Sequence, residues 1–215
     1  MKRVVVIGLG TFGFNIAKDL YENGLEVIAI DKDKEMTQKI KGFSTKAILA
    51  DAKDKGVIES IGIQSDDVVI VSFGEDLAAS MLITLHLKEL KIKNIILKAP
   101  NEDHKRVLEK VGTTEVIIPE REMADKVAKI LISPNVLDYI PLSEDYTICE
   151  LASPPSFMGK TIRELQLRSR YHIEVIAVRE VLPERLQMVP RADFVIKDSD
   201  ILLVMGREGD IQKIK

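Results

Sequence analysis

The chain has 215 residues, enough for one large domain or two smaller ones, and its 46% hydrophobic content can supply a substantial core. Lys and Arg number 31 against 34 Asp and Glu, a net charge of −3, so no basic excess points to nucleic acid. The single cysteine, Cys149, excludes an intramolecular disulfide and a multi-cysteine metal site, and fits cytosolic residence.

Lys2-Arg3 followed by apolar residues mimics a signal peptide. The apolar run stops at Gly8 and no small-residue cleavage pattern follows. No stretch approaches the roughly 20 apolar residues that cross a bilayer. A membrane role would therefore be exercised from outside the lipid.

The first 118 residues alternate short apolar runs with helical patterns. Strands are expected at 3–7, 26–30, 46–49, 67–71, 95–98 and 115–118, with helices at 12–22, 34–41, 53–60, 76–88 and 102–110. Six strands joined by crossovers of this length describe a Rossmann-type α/β fold, a doubly wound parallel sheet with helices on both faces.

The opening of this region carries the sharpest motif. Val4 to Ile7 run straight into Gly8-Leu9-Gly10-Thr11-Phe12-Gly13, which is G-x-G-x-x-G. Gly8 suits the tight turn out of the strand. Gly10 lets backbone approach a pyrophosphate, and Gly13 lets the next helix pack close to the sheet. That helix directs free N–H groups at the phosphates. Asp31, at the end of the second strand, is placed to accept hydrogen bonds from ribose hydroxyls, with Lys32 beside it. A carboxylate there would repel the 2′-phosphate of NADP. The bland alternative is a merely tight β–α turn.

Two further loops reach the same edge of the sheet. Asp51 and the small Ala52 follow the third strand, where adenine would lie. The alternative for Asp51 is an N-cap on the next helix. Ser72-Phe73-Gly74 follows the fourth strand and brings a glycine near the phosphates.

The helix at 76–88 is apolar nearly all round, so it is either wedged deep in its domain or part of a subunit interface. Residues 119–141 read as an arm: a helix over 121–131, a break at Ser133-Pro134-Asn135, and a second short helical piece over 136–139. From 142 onward the pattern becomes a small α+β lobe. It comprises a strand at 146–151, capping-box spacing from Thr161 to Glu164 before a short helix, strands at 171–181, 186–189 and 201–205, and a closing helix at 208–214. The expected organisation is thus a nucleotide-binding lobe at 1–118, an arm at 119–141 and a C-terminal lobe at 142–215.

No catalytic constellation accompanies the glycine loop. His86, His104 and His172 stand alone in sequence. His86 reads as packed, His104 as solvated and Cys149 as core. Paired acids such as Asp31/Asp33 and Asp66/Asp67 fall at strand edges, and nothing in the sequence gives them acid–base work.

A complete Rossmann lobe, an arm and a small C-terminal lobe together resemble the RCK (regulator of potassium conductance) family, of the Ktr/Trk type. The N-lobe residues that carry the likeness are Ile7-Gly-Leu-Gly-Thr-Phe-Gly13, Asp31, Asp51-Ala52, and Lys98-Ala99, followed by His104, Gly112 and Pro119-Glu120. In the C-lobe they are Phe157-Met-Gly-Lys160, Leu165, Ile173 to Arg179, the run Asp200 to Met205, and Gly206. The resemblance implies a cytosolic gating subunit rather than an enzyme. It would form homodimers and octameric rings beneath a membrane potassium-transporting subunit, with ATP, ADP, AMP or NAD(H) at the glycine loop. It implies that Glu120 matches a position binding a divalent or monovalent cation in some members, the alternative being a solvated acid at a helix start. It also implies that the segment Ile173 to Ala177 matches one lining a cyclic di-AMP site in some members. One departure stands out: Thr11 occupies a place where Ktr-type members often carry an arginine that helps hold the terminal phosphate of ATP. The competing class is a small NAD-dependent oxidoreductase.

Overall fold

Val4 to Ile7 are almost wholly removed from solvent because both faces of their sheet are covered. Val5 and Ile7 join one apolar cluster with Ile83, Leu87 and Leu97, while Val4 and Val6 join the other with Ala17, Ile40 and Ile70. The alternation is the two-residue period of a strand between two helical layers. The computed structural model describes residues 3–73, 76–133, 135–143 and 145–214. The chain divides into two units, Met1–Glu122 and Met123–Lys215.

The first unit runs β1 (Arg3–Ile7), α1 (Thr11–Glu22), β2 (Glu26–Asp31), α2 (Lys34–Ile40), β3 (Lys46–Leu49), α3 (Lys55–Ser60), β4 (Val68–Val71), α4 (Leu77–Glu89), β5 (Asn94–Lys98), α5 (Glu102–Val111) and β6 (Glu115–Ile117). Its sheet has six parallel strands in the order β3-β2-β1-β4-β5-β6. This is the expected Rossmann-type arrangement. The order reverses between β1 and β4, and ligands of such sheets bind at the carboxyl ends of the strands beside that reversal. Gly112 closes α5 in the left-handed region, φ 105°, where a side chain would be strained.

α4 resolves the two readings of its apolar sequence. Ala79, Ser80, Ile83, Thr84, His86 and Leu87 are buried. Leu82 and Leu85, on the other side, stay 40% and 49% exposed. The helix is therefore not wedged deep in its domain, which covers only one face.

α6 (Pro119–Ile132) carries the boundary between the units. The second helical piece expected at 136–139 is instead a strand, β7 (Val136–Pro141), antiparallel to β8 (Tyr146–Ala152). The helix–turn–helix expectation fails here for a physical reason. Val136, Tyr139 and Ile140 are β-branched or aromatic, and an edge strand tolerates Pro141 at its end. Thr147 Oγ1 donates to the Ile140 carbonyl at 3.0 Å and helps hold the pair together.

The second unit continues with α7 (Ile162–Leu165), α8 (Leu167–Tyr171), β9 (Glu174–Val181), β10 (Glu184–Met188), β11 (Ile201–Arg207) and α9 (Glu208–Ile211). Its sheet is antiparallel in the order β10-β9-β11-β8-β7. Thr161 and Glu164 form the expected capping box. The strand expected at 171–181 starts only at Glu174, because α8 extends to Tyr171 and His172 turns the chain at φ 53°. The closing helix is one turn rather than the expected 208–214.

Cys149 sits in this second core with Leu151, Val204 and Ile211. Burial pushes its thiol up to about 11, against the weaker opposing effect of a hydrogen bond with Thr147. At pH 8 about one thiol in a thousand is thiolate in the fold, against about one in four for an ordinary cysteine. Alkylation of the native protein at pH 8 is expected to be at least about a hundredfold slower than of the urea-unfolded chain. Equal rates would show that the second core is open.

Candidate nucleotide-binding site

The glycine loop is shaped by contacts that exclude side chains. A Cβ on Gly13 would come within 1.9 Å of the Gly8 carbonyl oxygen, so α1 can seat at this distance only with glycine there. Gly8 itself has φ 93°, and a Cβ on it would meet the Ser72 carbonyl oxygen at 3.0 Å. A Cβ on Gly10 would meet nothing within 4 Å, which leaves its outer side open to a ligand. The loop is also pinned by the strands. Gly8 N–H donates to the Ile30 carbonyl at 2.9 Å, and Ser72 N–H donates to the Ile7 carbonyl at 2.7 Å.

α1 begins at Gly10 with no side-chain cap and no acidic residue in its first turn. The next four helices are each capped, by Asp33, Asp54, Asp76 and Asn101. The first-turn N–H groups of α1, at Thr11, Phe12 and Gly13, thus lack the partner that a capping side chain supplies elsewhere in the lobe. With the positive end of the helix dipole behind them, they have the arrangement by which helix N-termini can receive anions.

Asp31 lies at the carboxyl end of β2, beside the loop. Its Oδ2 accepts Leu9 N–H at 2.5 Å and its Oδ1 accepts Asp33 N–H at 2.8 Å. Lys32 is exposed next to it. Sequence reasoning foresaw the acid but not its bond to the loop, since only the fold brings residues 9 and 31 together. Ala52 is buried against the sheet and Asp51 is exposed. Asp51 Oδ1 accepts Lys53 N–H at 3.0 Å, and the N-cap of α3 is Asp54. The capping alternative for Asp51 therefore falls to the residue three positions on. Ser72 is buried at the end of β4 and Phe73 is half-buried beside it. Gly74 lies outside the described residues.

Glu120, at the start of α6, is hydrogen-bonded to Lys98 Nζ at the end of β5. That bond, with the helix's own N–H, holds its carboxyl below the usual range. Among the described residues no group of three His, Cys, Asp or Glu side chains is placed to hold a metal. His86 is buried in α4, with no partner for its Nδ1. His104 is half-buried rather than fully solvated. In the second unit a cleft of about 300 Å³ is lined by Arg163, Arg168, Ile173, Glu174 and Val175 among others. Arg168 is ion-paired with Glu174 there.

Fold and site together define a Rossmann-type lobe with a glycine-rich first loop, followed by a small antiparallel lobe. The TrkA-N domain family matches residues 4–119 and the TrkA-C domain family residues 147–215. The Ktr system potassium uptake proteins C and A of Bacillus subtilis are each 38% identical over 214 residues, covering all of this chain and 96% of theirs. The chain belongs to this Ktr/Trk family of potassium uptake proteins. In fold it is similar to the RCK domain of GsuK, with TM-score 0.66, 18% identity, and coverage of 98% of this chain and 46% of that one. The GsuK channel bound to NAD superposes at TM-score 0.61, with 16% identity and coverage of 98% and 38%. No helix among the described residues is long and apolar enough to cross a membrane.

Gly13→Ala tests the seating of α1. Displacing either the helix or the loop is expected to cost about 3 kcal/mol or more, read from the urea midpoint. A change within about 0.5 kcal/mol would show that the close approach is not a constraint.

Proposed function

We propose that this chain is a cytosolic regulatory subunit that gates a membrane potassium-transporting partner, and that its input is an adenine nucleotide bound at the glycine loop. The carrying observation is the uncapped N-terminus of α1, held open against Gly8 by Gly13 and flanked by Asp31. The N–H groups of Thr11, Phe12 and Gly13 would take the pyrophosphate, Asp31 the ribose, and the loop of Asp51 and Ala52 the adenine. Lys32, Ser72 and Phe73 complete the rim in this reading. The nucleotide gates only through differential affinity for two arrangements of the assembly. On this reading the loop holds a signal rather than a reacting cofactor, and no catalytic residue is assigned.

The assembly we propose is a homodimer built up into an octameric ring, peripheral at the inner face of the cell membrane through its partner. The exposed leucines of α4 favour burial against another chain, as do Leu131 and Ile132 at the end of α6, exposed by 76% and 67%. A cation near Glu120 would have to displace Lys98 and draw further ligands from a second copy. Cyclic di-AMP is proposed as a second ligand in the C-lobe cleft, where Arg163 and Arg168 face the segment beginning at Ile173.

Co-purification with the membrane subunit and nucleotide-dependent potassium flux in vesicles test the function. Flux unaffected by NADH, NAD, AMP, ADP or ATP would sink it, and turnover of NADH with carbonyl substrates would favour an oxidoreductase instead.

Thr11 sets the choice of nucleotide. With an uncharged hydroxyl in place of an arginine, the chain is expected to bind NAD(H), AMP or ADP at least as well as ATP in calorimetric titration. Thr11→Arg should shift the ratio toward ATP by about tenfold, the size of one charge-assisted hydrogen bond to phosphate. A clear preference of the unaltered chain for ATP over ADP would contradict this assignment.

A further inference from the structure

We infer that Asp31 is a positioning residue for the glycine loop as well as the acceptor for the ribose. This rests on the reading that a nucleotide occupies the loop. The carboxylate is already engaged without a ligand. One oxygen accepts Leu9 N–H at 2.5 Å and the other accepts Asp33 N–H at 2.8 Å. Leu9 lies between Gly8, at φ 93°, and Gly10, two residues whose backbone is intrinsically free. The Leu9 side chain is fully buried, so its backbone is held from the inside by packing and from the outside by Asp31. No other acceptor for the Leu9 N–H is found among the described residues.

A carboxylate offers about four lone-pair sites. Two are used by these N–H groups, which leaves two for the ribose hydroxyls. Loop support and ribose recognition are therefore compatible in one side chain. The loop that carries the pyrophosphate site is tied to β2 through the same group that reads the sugar.

The two roles predict effects of opposite sign on a nucleotide that has no ribose hydroxyls. If Asp31 served the ribose alone, removing its negative charge near the phosphates would leave such a ligand unaffected or bound more tightly. If it positions the loop, the same ligand weakens.

The experiment uses the full chain, unaltered and with Asp31→Ala or Asp31→Asn, titrated with ADP and with 2′,3′-dideoxy-ADP. The expected result is a loss of about tenfold or more for dideoxy-ADP with Asp31→Ala, the size of one charge-assisted hydrogen bond. Asp31→Asn, which keeps one acceptor oxygen, should recover part of it. Dideoxy-ADP bound by Asp31→Ala as tightly as by the unaltered chain would overturn the inference. Amide hydrogen exchange on the ligand-free chain gives a readout that does not need nucleotide binding, and its first arm needs no variant. Leu9 N–H should exchange more slowly than the uncapped Thr11 N–H, and should lose that protection with Asp31→Ala. Equal exchange at the two sites in the unaltered chain also overturns it. If the unaltered chain bound neither nucleotide, the nucleotide reading would fall and the exchange rates alone would decide the role of Asp31.

Discussion

The space between Gly13 and the Gly8 carbonyl is the constraint on which the rest of the N-lobe site depends. At 1.9 Å from that oxygen there is no place for even a methyl group. The closeness sets where α1 begins, and that start sets where its free N–H groups point. It also leaves Gly8 with no option but a left-handed turn under the end of β4. An anion site of this kind is made of backbone, so its specificity has to come from neighbouring side chains. Asp31 and Thr11 are the side chains that flank the loop on its two sides.

Much of this was legible in sequence because the controlling features are local. Four β-branched residues before G-x-G-x-x-G, and an acid at the end of the next strand, define the loop without reference to the rest of the fold. The doubly wound class follows from the same alternation of strand and helix, while the order β3-β2-β1-β4-β5-β6 came only from the structure. What could not be read were contacts between residues distant in sequence. The bond from Leu9 to Asp31, the pairing of Lys98 with Glu120, and the transfer of the α3 cap from Asp51 to Asp54 all depend on how backbone segments meet. β7 failed for a different reason. Six residues with apolar and polar positions mixed fit one helical turn or a short strand equally well, and the pairing with β8 decides between them.

The same limit applies to α4. Sequence showed an apolar helix with more hydrophobic surface than an outer helix needs. It could not show which residues the sheet would take. The structure assigns Ile83 and Leu87 to the core and leaves Leu82 and Leu85 on the surface. The helix dipole, the caps and the buried face are all satisfied within the lobe, so the exposed pair is not required for the lobe to fold. That surplus is the feature on which the proposal of assembly through this helix rests.

The loop and this helix are also close along the fold. Ser72 directly follows β4, donates its N–H to the Ile7 carbonyl and backs onto Gly8, and α4 starts at Leu77. The β1–α1 loop is therefore in direct backbone contact with the end of the strand that precedes the exposed helix. Contiguity alone does no work, since a nucleotide bound equally well in both arrangements would move nothing. The energy must come from a group that fits one arrangement better. Asp31 and Leu9 form a pair whose geometry depends on the loop, which is the segment proposed above to hold the nucleotide. Leu9 lies beyond β1 and the Asp31 carboxylate takes no part in the backbone ladder of β2, so this bond can change without breaking the pairing of the two strands.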